Sequence, residues 1–365
     1  MVKSEQTQII TPKTIFFPET AKAKFIAYVQ ENCGEQNPYV DFESKRYALA
    51  MKMHDILTKV AMGVGEEAEN AKELLQLAET IRNSKESPPV LVKNFPVDTK
   101  EDLVAPPTNH KDFSTSPPEK TGKKTYITEW SLEAFNTLCG LSPIQSKEMQ
   151  AGNRYHRVIP QKGLEKTKTN SGAEILDLHT EATYRQDNNM QIILVGLRNK
   201  KTPTMLVPID EVQRIFNKKF DEEELQLLEK PIYKTVTDPT FTSNGKCIRQ
   251  MLVRDSSGKF REMQMNGNMD RLNVDEDAAN EHGCNVNVIK ELIAKVSSEL
   301  AKINQGVILG HGDLIVFNNL KALHARTPIH ADDRKAGEER HLIRTQSYRD
   351  KVVVEEINQK LGVSR

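Results

Sequence analysis

The sequence predicts an α+β fold in which a helical N-terminal region precedes a β-sheet core that carries helical insertions. Roughly the first 85 residues place apolar side chains at helical spacing. From about Tyr126 the pattern changes to short β-branched and aliphatic runs separated by polar turns. No series of alternating strands and helices occurs, so the pattern favours a β-sandwich or open barrel over a parallel sheet.

Three helices are predicted in the N-terminal region. The first, in PETAKAKFIAYVQENCG, stops at Gly34, and the third, in GEEAENAKELLQLAETIRN, begins with acids that suit a helix N-terminus. The second, in DFESKRYALAMKMHDILTKVAMG, places Ala48, Met51, Ile56 and Val60 at helical spacing. A loop-rich stretch follows from residue 100 to 124, where four prolines indicate an irregular surface segment.

The remaining elements divide the chain into three parts. We expect a helical region at residues 1–88, a β-sheet domain at 89–350 and a C-terminal tail at 351–365. Within the domain, a hairpin is predicted around Asp255 to Gly258. The most regular helix places Val288, Leu292, Val296 and Leu300 on one face.

The composition restricts the class of protein. The chain has 51 basic and 51 acidic residues, so no net field favours nucleic acid or an anionic membrane as a partner. Four well-separated cysteines without a CxxC pair suit a reducing compartment better than a disulfide framework. No apolar run is long enough for a signal peptide or a membrane span, and we expect a cytoplasmic protein whose oligomeric state the sequence leaves open.

The segment GAEILDLHTEATY carries a candidate metal site. In a strand, His179 and Glu181 would point to the same face about 6.6 Å apart, close enough to converge on one ion with bonds of about 2.1 Å. The pair by itself is weak evidence for a metal site, because the HxE pattern arises often by chance. A structural pair of residues is the simpler explanation.

A second strand, in GDLIVFNNLKALHARTPI, adds His324. Two histidines and one carboxylate form the facial triad of non-haem Fe(II) oxygenases. Such a triad leaves three metal positions open, which a bidentate 2-oxoacid and dioxygen would fill.

The segment ERHLIRTQSY contributes candidate anion ligands. Strand alternation places Arg340, Leu342 and Arg344 on one face. An inward guanidinium requires an anionic partner, and its fork matches a carboxylate. A surface ion pair of Arg340 with Glu338 or Glu339 is the alternative.

Taken in order, LDLHTEATY, IILVGLRN, GDLIVFNNLKALHARTP and RHLIR resemble the clavaminate synthase-like branch of the Fe(II)/2-oxoglutarate oxygenases. The similarity begins upstream at LVKNFPVDTKEDLVAPPT and covers roughly residues 90 to 349. This branch includes bacterial hydroxylases of free asparagine, arginine and lysine. The resemblance implies a distorted double-stranded β-helix, or jelly roll, as the core.

The resemblance also implies residue roles. His179, Glu181 and His324 match the iron ligands, and Arg340 matches the arginine that holds the C5 carboxylate of 2-oxoglutarate. Arg344 would be a second contact. The connection from His324 to Arg340 is slightly longer than the commoner family pattern, which leaves either arginine as the primary anchor.

Thr204, in KTPTMLVPI, falls near the family threonine that helps to hold the same cosubstrate, although the preceding loop differs in length. The implied cofactors are therefore Fe(II), 2-oxoglutarate and dioxygen. Glu181 argues against a halogenase, which needs a vacant metal position for halide.

The implied reaction hydroxylates an unactivated C–H bond of an L-amino acid, free or carrier-bound, while 2-oxoglutarate is decarboxylated to succinate. A zinc-dependent hydrolase with the same ligands and a non-catalytic jelly-roll binding protein remain alternatives.

Two further features of the sequence allow more than one interpretation. The charged segment 268–283 is either a solvated loop or a lid whose Asp270 or Asp275 contacts a cationic substrate side chain. Arg198 and Arg326 lie inside the matching motifs, and we expect both to form salt bridges.

Overall fold

The computed structural model describes residues 12–34, 36–39, 41–84, 87–103, 125–145, 153–237, 245–268, 270–303, 306–335 and 337–362. Its helices are α1 (Glu19–Asn32), α2 (Glu43–Ala61), α3 (Glu66–Asn83), α4 (Ile127–Leu138), α5 (Ile209–Lys219), α6 (Glu222–Leu228), α7 (Glu276–Glu281), α8 (Val286–Ala301) and α9 (Lys351–Leu361). Short 3-10 turns span Lys100–Asp102 and Ala331–Arg334. Most of the irregular segment predicted at residues 100–124 lies outside the described residues.

The strands are β1 (Lys13–Phe16), β2 (Val90–Lys93), β3 (Leu141–Pro143), β4 (His156–Val158), β5 (Leu176–His179), β6 (Gln191–Arg198), β7 (Thr204–Pro208), β8 (Tyr233–Val236), β9 (Lys246–Arg249), β10 (Leu252–Arg254), β11 (Phe260–Met263), β12 (Leu272–Val274), β13 (Gly306–Val307), β14 (Leu314–Asn318), β15 (Ala322–Arg326) and β16 (His341–Arg349).

Two sheets carry the candidate site. The larger has the order β1-β2-β14-β6-β16-β3, with β4 also paired to β16, and the smaller has the order β13-β7-β15-β5. In the described part of the chain, β1 and β2 pair in parallel and the other strand pairs of these sheets are antiparallel. The prediction that no parallel sheet forms the core is therefore confirmed.

The two sheets face each other across a shared apolar layer. Ile192, Leu194 and Leu342 of the larger sheet belong to the same buried cluster as Leu206 and Ala322 of the smaller one. Alternate residues of the larger sheet turn the other way, toward the N-terminal helices. Because both faces of the larger sheet are covered, its central strand β6 is an almost continuous apolar run rather than an alternating one.

The N-terminal helices cover the outer face of the larger sheet. Val195, Val316 and Ile343 share a buried cluster with α1, α2, α3 and α4. All three predicted helices in this region are present, although the predicted face of α2 is shifted. Ile56 is buried as expected, whereas Ala48 is exposed because the helix packs through a neighbouring stripe that includes Met53.

A second group of elements packs on the smaller sheet. Helices α5, α6 and α8 form a buried cluster with Val207 and Leu323 of that sheet. The predicted hairpin is confirmed as β10 and β11. On α8 the predicted face is buried from Leu292 onward, but Val288 is 47% exposed.

The segment predicted as a loop or lid contains strand β12 and helix α7. Strand β12 pairs with β8, and Asp275 caps α7 by accepting a hydrogen bond from the backbone N–H of Ala278 at 3.1 Å. The Asp275 carboxylate therefore has a capping role, and a substrate contact by Asp270 or Asp275 stays a prediction.

The predicted C-terminal tail contains α9. Its buried residues Val353, Val354 and Ile357 pack with the N-terminal helices and β3. Among the described residues, no helix has the length and apolar character that a membrane crossing requires.

A buried charge cluster joins the N-terminal helices to β4. The carboxylate of Glu133 on α4 lies 3.1 Å from the guanidinium of Arg154 and 3.4 Å from that of Arg46, and it accepts a hydrogen bond from Tyr155 at 2.7 Å. All four side chains are almost fully buried. The cluster therefore fixes the position of the chain immediately before β4.

We predict that Glu133→Gln destabilises the protein by about 3 kcal/mol, because two buried guanidinium groups lose their counter-charge. Urea unfolding followed by circular dichroism measures this change. Glu356→Gln, at a solvent-exposed pair with Lys360, is the control and should leave the midpoint almost unchanged. Equal midpoints for the wild type and Glu133→Gln would contradict a stabilising role for the cluster.

Candidate metal centre

The two sheet histidines lie side by side. His179 is the last residue of β5 and is paired directly with His324 of β15 in the antiparallel register. Their ring centroids are 4.2 Å apart, and each side chain is more than nine-tenths buried. The sequence prediction that tertiary folding unites these distant histidines is confirmed.

Glu181 completes the cluster from a turn. Its Oε2 lies 3.6 Å from Nε2 of His179 and 3.5 Å from Nε2 of His324. One ligand atom from each residue lies within 4.8 Å of the others, which fits a single ion. The strand geometry predicted for the HxE pair is wrong, since β5 ends at His179 and the backbone turns through Ala182 at φ +53°.

Asn319 holds this turn in place. Its side-chain Oδ1 accepts a hydrogen bond from the Glu181 N–H at 2.8 Å, and its Nδ2 donates to the Glu181 carbonyl at 2.9 Å. Asn319 is fully buried in the turn that joins β14 to β15, the strand of His324. The sequence analysis did not identify Asn319 as a residue that positions a metal ligand, although the adjacent Asn318 and Asn319 are a signal of a turn.

The ring orientation of His179 suits metal binding. Its Nδ1 lies 2.8 Å from the carbonyl oxygen of Asp177, and a carbonyl can only accept, so Nδ1 carries the proton. The unprotonated Nε2 then faces Glu181. A backbone carbonyl that fixes the tautomer in this way is the usual support of a metal-bound imidazole.

Electrostatics keep the donor atoms deprotonated. Burial by itself would raise the pKa of Glu181, but the neighbouring guanidinium of Arg344 makes the largest contribution to holding that pKa well below its usual value. Burial, together with the neighbouring His179, lowers the pKa of His324 to about 4. The cluster therefore offers a carboxylate and two imidazole nitrogens, the donor set expected for a transition metal.

Arg344 lies beside the metal cluster. Its Nη1 donates to Oε2 of Glu181 at 2.8 Å, and the side chain is 5% exposed. The sequence prediction placed Arg344 on the cosubstrate as a second contact. In the structure its carboxylate partner is a member of the triad.

Arg340 and Thr204 form a second polar group nearby. The guanidinium Nη2 of Arg340 donates to the hydroxyl of Thr204 at 3.3 Å. Arg340 is only 2% exposed, so the alternative of a surface ion pair with Glu338 or Glu339 is wrong. Burial, with a smaller contribution from Arg326, lowers its pKa to about 9.

The guanidinium of Arg340 has unused donors. No residue in the described ranges accepts from its Nε or Nη1, although both atoms are buried. A buried guanidinium without an anion is costly, and this one is therefore suited to a carboxylate ligand.

Asp333 fixes the backbone next to both Thr204 and Arg340. Its buried carboxylate accepts from the backbone N–H groups of Lys200, Lys201 and Thr202, at 2.7 to 3.0 Å, just before β7. Its carbonyl accepts from the Arg340 N–H at 2.8 Å. The longer connection before Arg340 is thus anchored at Asp333, a contact that no sequence motif indicated.

The expected salt bridge of Arg326 is absent from the described structure. Its guanidinium donates instead to the backbone carbonyls of Thr169, Glu174 and Thr327. Arg198 donates to the carbonyl of Gly337 at 2.6 Å and lies near Glu338.

Similar solved structures define the class of fold. Asparagine oxygenase, in a complex with Fe(II), 2S,3S-3-hydroxyasparagine and succinate, matches with a TM-score of 0.65 and 15% identity over 92% of this chain and 94% of that one. The non-haem iron oxygenase OrfP, with Fe and α-ketoglutaric acid, matches with a TM-score of 0.66 and 17% identity over 94% and 96% of the two chains. The chain therefore has the fold of these non-haem iron oxygenases.

One relative is similar in sequence as well. Clavaminate synthase 2 of Streptomyces clavuligerus is 27% identical over 269 residues, which cover 70% of this chain and 72% of that protein. No family profile matches the chain. These similarities confirm the predicted resemblance to the clavaminate synthase-like oxygenases.

We predict that the protein binds one Fe(II) per chain and that His179→Ala and His324→Ala each abolish this binding. Removing an imidazole leaves two ligands, which is insufficient to compete with water. Anaerobic Fe(II) titration followed by metal analysis of the desalted protein provides the measurement. His311→Ala, at an exposed histidine of the same domain, is the control. Undiminished iron binding by both triad variants would remove this metal site.

Proposed function

We propose that the protein is an Fe(II)/2-oxoglutarate-dependent oxygenase that hydroxylates a side-chain carbon of an L-amino acid. The observation that carries the proposal is the combination of the His179, Glu181 and His324 cluster with a buried, anion-deficient Arg340. The triad supplies three metal ligands, and the arginine supplies a partner for the far carboxylate of a dicarboxylic cosubstrate.

Each residue has a defined part in this proposal. His179, Glu181 and His324 hold the metal, and Arg340 with the Thr204 hydroxyl orients 2-oxoglutarate. When bound, iron with 2-oxoglutarate and dioxygen supplies the oxidative decarboxylation to succinate and CO₂ that is coupled to C–H hydroxylation. Burial of the cluster excludes bulk water from the reacting groups.

Arg340 is the primary cosubstrate anchor in this proposal. The guanidinium of Arg344 is already paired with Glu181, whereas that of Arg340 has buried donors without a described acceptor. These partners support Arg340 over Arg344 as the anchor, the choice that the longer connection left open.

The alternatives explain less of the geometry. A zinc hydrolase would use the same three ligands but would leave Arg340 buried without an anion. A non-catalytic binding protein would not need Glu181 to be held deprotonated between two imidazoles.

The finer fold assignment and the substrate class rest on similarity. Two facing, largely antiparallel sheets with the site between them suit a double-stranded β-helix. The domain bounds of 89–350 stay a prediction, since β1 joins the larger sheet from outside that range. The solved neighbours are an asparagine oxygenase and an oxygenase in a complex with (3S)-hydroxy-L-Arg, which supports an L-amino acid substrate. All four cysteines are free, which suits the cytoplasm.

We predict that Arg340→Ala weakens 2-oxoglutarate binding by roughly 30- to 1000-fold, equivalent to about 2–4 kcal/mol, because a buried charge-assisted pair is lost. Equilibrium dialysis with labelled 2-oxoglutarate measures the effect directly. Arg340→Lys should give an intermediate loss, since it keeps the charge but not the fork. Arg349→Ala, at an exposed position of β16, is the control. A larger loss for Arg344→Ala than for Arg340→Ala would reverse the assignment of the anchor.

We also predict that the purified protein with Fe(II), ascorbate and 2-oxoglutarate forms succinate in the presence of one or a few of the twenty L-amino acids. Mass spectrometry should find a product that has gained one oxygen atom. Turnover with peptides or non-amino-acid substrates alone would disprove the substrate class while leaving the oxygenase reaction in place.

A further inference from the structure

A pocket opens beside the metal cluster. Its wall includes His179 and Glu181 of the triad, and it is completed by polar residues that include Thr183, Asn266 and Arg271. In the proposed reaction, a substrate that presents a C–H bond to the metal has to place its side chain against this wall. The charge and hydrogen-bonding character of the wall therefore select the side chain.

The backbone holds Asn266 next to a metal ligand. Asn266 is paired directly with His179 in an isolated antiparallel bridge, and the Gly267 N–H donates to the carbonyl of Leu178 at 2.8 Å. A Cβ atom on Gly267 would lie only 2.9 Å from Cβ of Asp177, so a glycine is required for this close approach to β5. Opposite residues of an antiparallel pair extend to the same face, which places the Asn266 side chain on the metal side.

The amide of Asn266 presents a donor to the pocket. Its Oδ1 accepts a hydrogen bond from the backbone N–H of Asn268 at 3.0 Å. A backbone N–H can only donate, so this contact fixes which end of the amide is the oxygen. No residue in the described ranges accepts from the Nδ2 group, although the side chain is more than nine-tenths buried. A buried donor of this kind requires an acceptor from a ligand.

Arg271 contributes a positive charge to the same wall. It immediately precedes β12, and its carbonyl accepts from the Val236 N–H at 3.1 Å. Its Nη2 donates to the carbonyl of Lys168 at 3.1 Å, so the half-buried side chain extends from β12 to the segment before β5. A neutral carbonyl occupies one guanidinium donor but does not neutralise the charge.

The described wall has no acid available for a cationic side chain. Glu181 is the one acidic residue among its described members, and that carboxylate belongs to the metal cluster and is paired with Arg344. Asp177 lies outside the wall and is paired with Lys168 at 3.0 Å. A substrate guanidinium or ammonium group would therefore be buried near Arg271 without a counter-charge, which is costly.

From these observations we infer that the substrate is an L-amino acid with a carboxylate side chain, which Arg271 and Asn266 hold. Both groups donate, and an ionised carboxylate only accepts. The inference rests on the proposed function and deepens it, because it names the class of side chain. It also separates this chain from OrfP, which was solved with the cationic amino acid (3S)-hydroxy-L-Arg.

The test measures binding by isothermal titration calorimetry under anaerobic conditions, with Fe(II) and saturating 2-oxoglutarate. L-Aspartate and L-glutamate are compared with their amides, L-asparagine and L-glutamine, and with L-arginine and L-lysine. We expect one of the two acids to bind about tenfold or more tightly than its own amide, because only the acid neutralises Arg271. Both cationic amino acids should bind more weakly than that amide.

Matched variants separate recognition of the carboxylate from a structural role. Arg271→Met should weaken binding of the acid by about tenfold or more and change binding of the amide by less than about twofold, whereas Arg271→Lys should give an intermediate loss. Asn266→Asp keeps the acceptor for the Asn268 N–H but replaces the donor by a negative charge, so it too should weaken the acid more than the amide.

Two controls accompany these variants. Asp270→Asn, at the exposed residue next to Arg271, should not weaken binding of the acid, whereas it would weaken binding of a cationic substrate that Asp270 contacts. Arg349→Met, at the exposed end of β16, should change nothing. An unchanged dissociation constant of 2-oxoglutarate in the Arg271 variants shows that the site remains folded.

The outcomes distinguish the two levels of proposal. If the wild type prefers and hydroxylates a neutral or cationic amino acid, the inference is wrong and the proposed function stands. If an acid is preferred but Arg271→Met weakens the acid and its amide equally, Arg271 only supports the wall and the inference fails. If no amino acid binds or yields succinate, both proposals fail.

Discussion

The buried carboxylate of Glu181 is the constraint on which the arrangement of the two sheets depends. An isolated carboxylate in a protein interior is costly, so it must be paired with donors or cations. Its partners come from three places: His179 at the end of β5, His324 on the smaller sheet and Arg344 on the larger sheet. The charge is therefore stable only when both sheets are assembled around it.

The connection between the two sheets also positions Glu181. The chain leaves the larger sheet at β14 and enters the smaller one at β15 through the turn that contains Asn319. One side chain in that turn fixes both backbone groups of Glu181, while the following strand delivers His324. Ligand position and ligand orientation thus depend on a single connection between the two sheets, and a supporting residue of this kind tunes a metal site.

Cations are buried on the inner side of the sheets at a cost that the fold offsets elsewhere. Burial lowers the pKa values of both Arg326 and Arg340, and the nearby positive charge of Arg326 lowers the pKa of Arg340 further. Asp333 offsets part of that charge and orders the adjoining loops. The apolar contacts between the helices and the outer face of each sheet stabilise the fold and offset the free-energy cost of burying these charged groups.

The sequence by itself determined the elements whose pattern is local. Apolar runs predicted β6, β14 and β16, alternation placed Arg340 and Arg344 on one inward face, and motif order identified the three members of the triad. Only the tertiary structure decided the partners. Glu181 and Asn319 are 138 residues apart, and Arg344 and Glu181 are 163 apart, so no local periodicity encodes their contacts. A repeat of two or 3.6 residues reports which face a side chain occupies, whereas its hydrogen-bond partner depends on how distant strands come together.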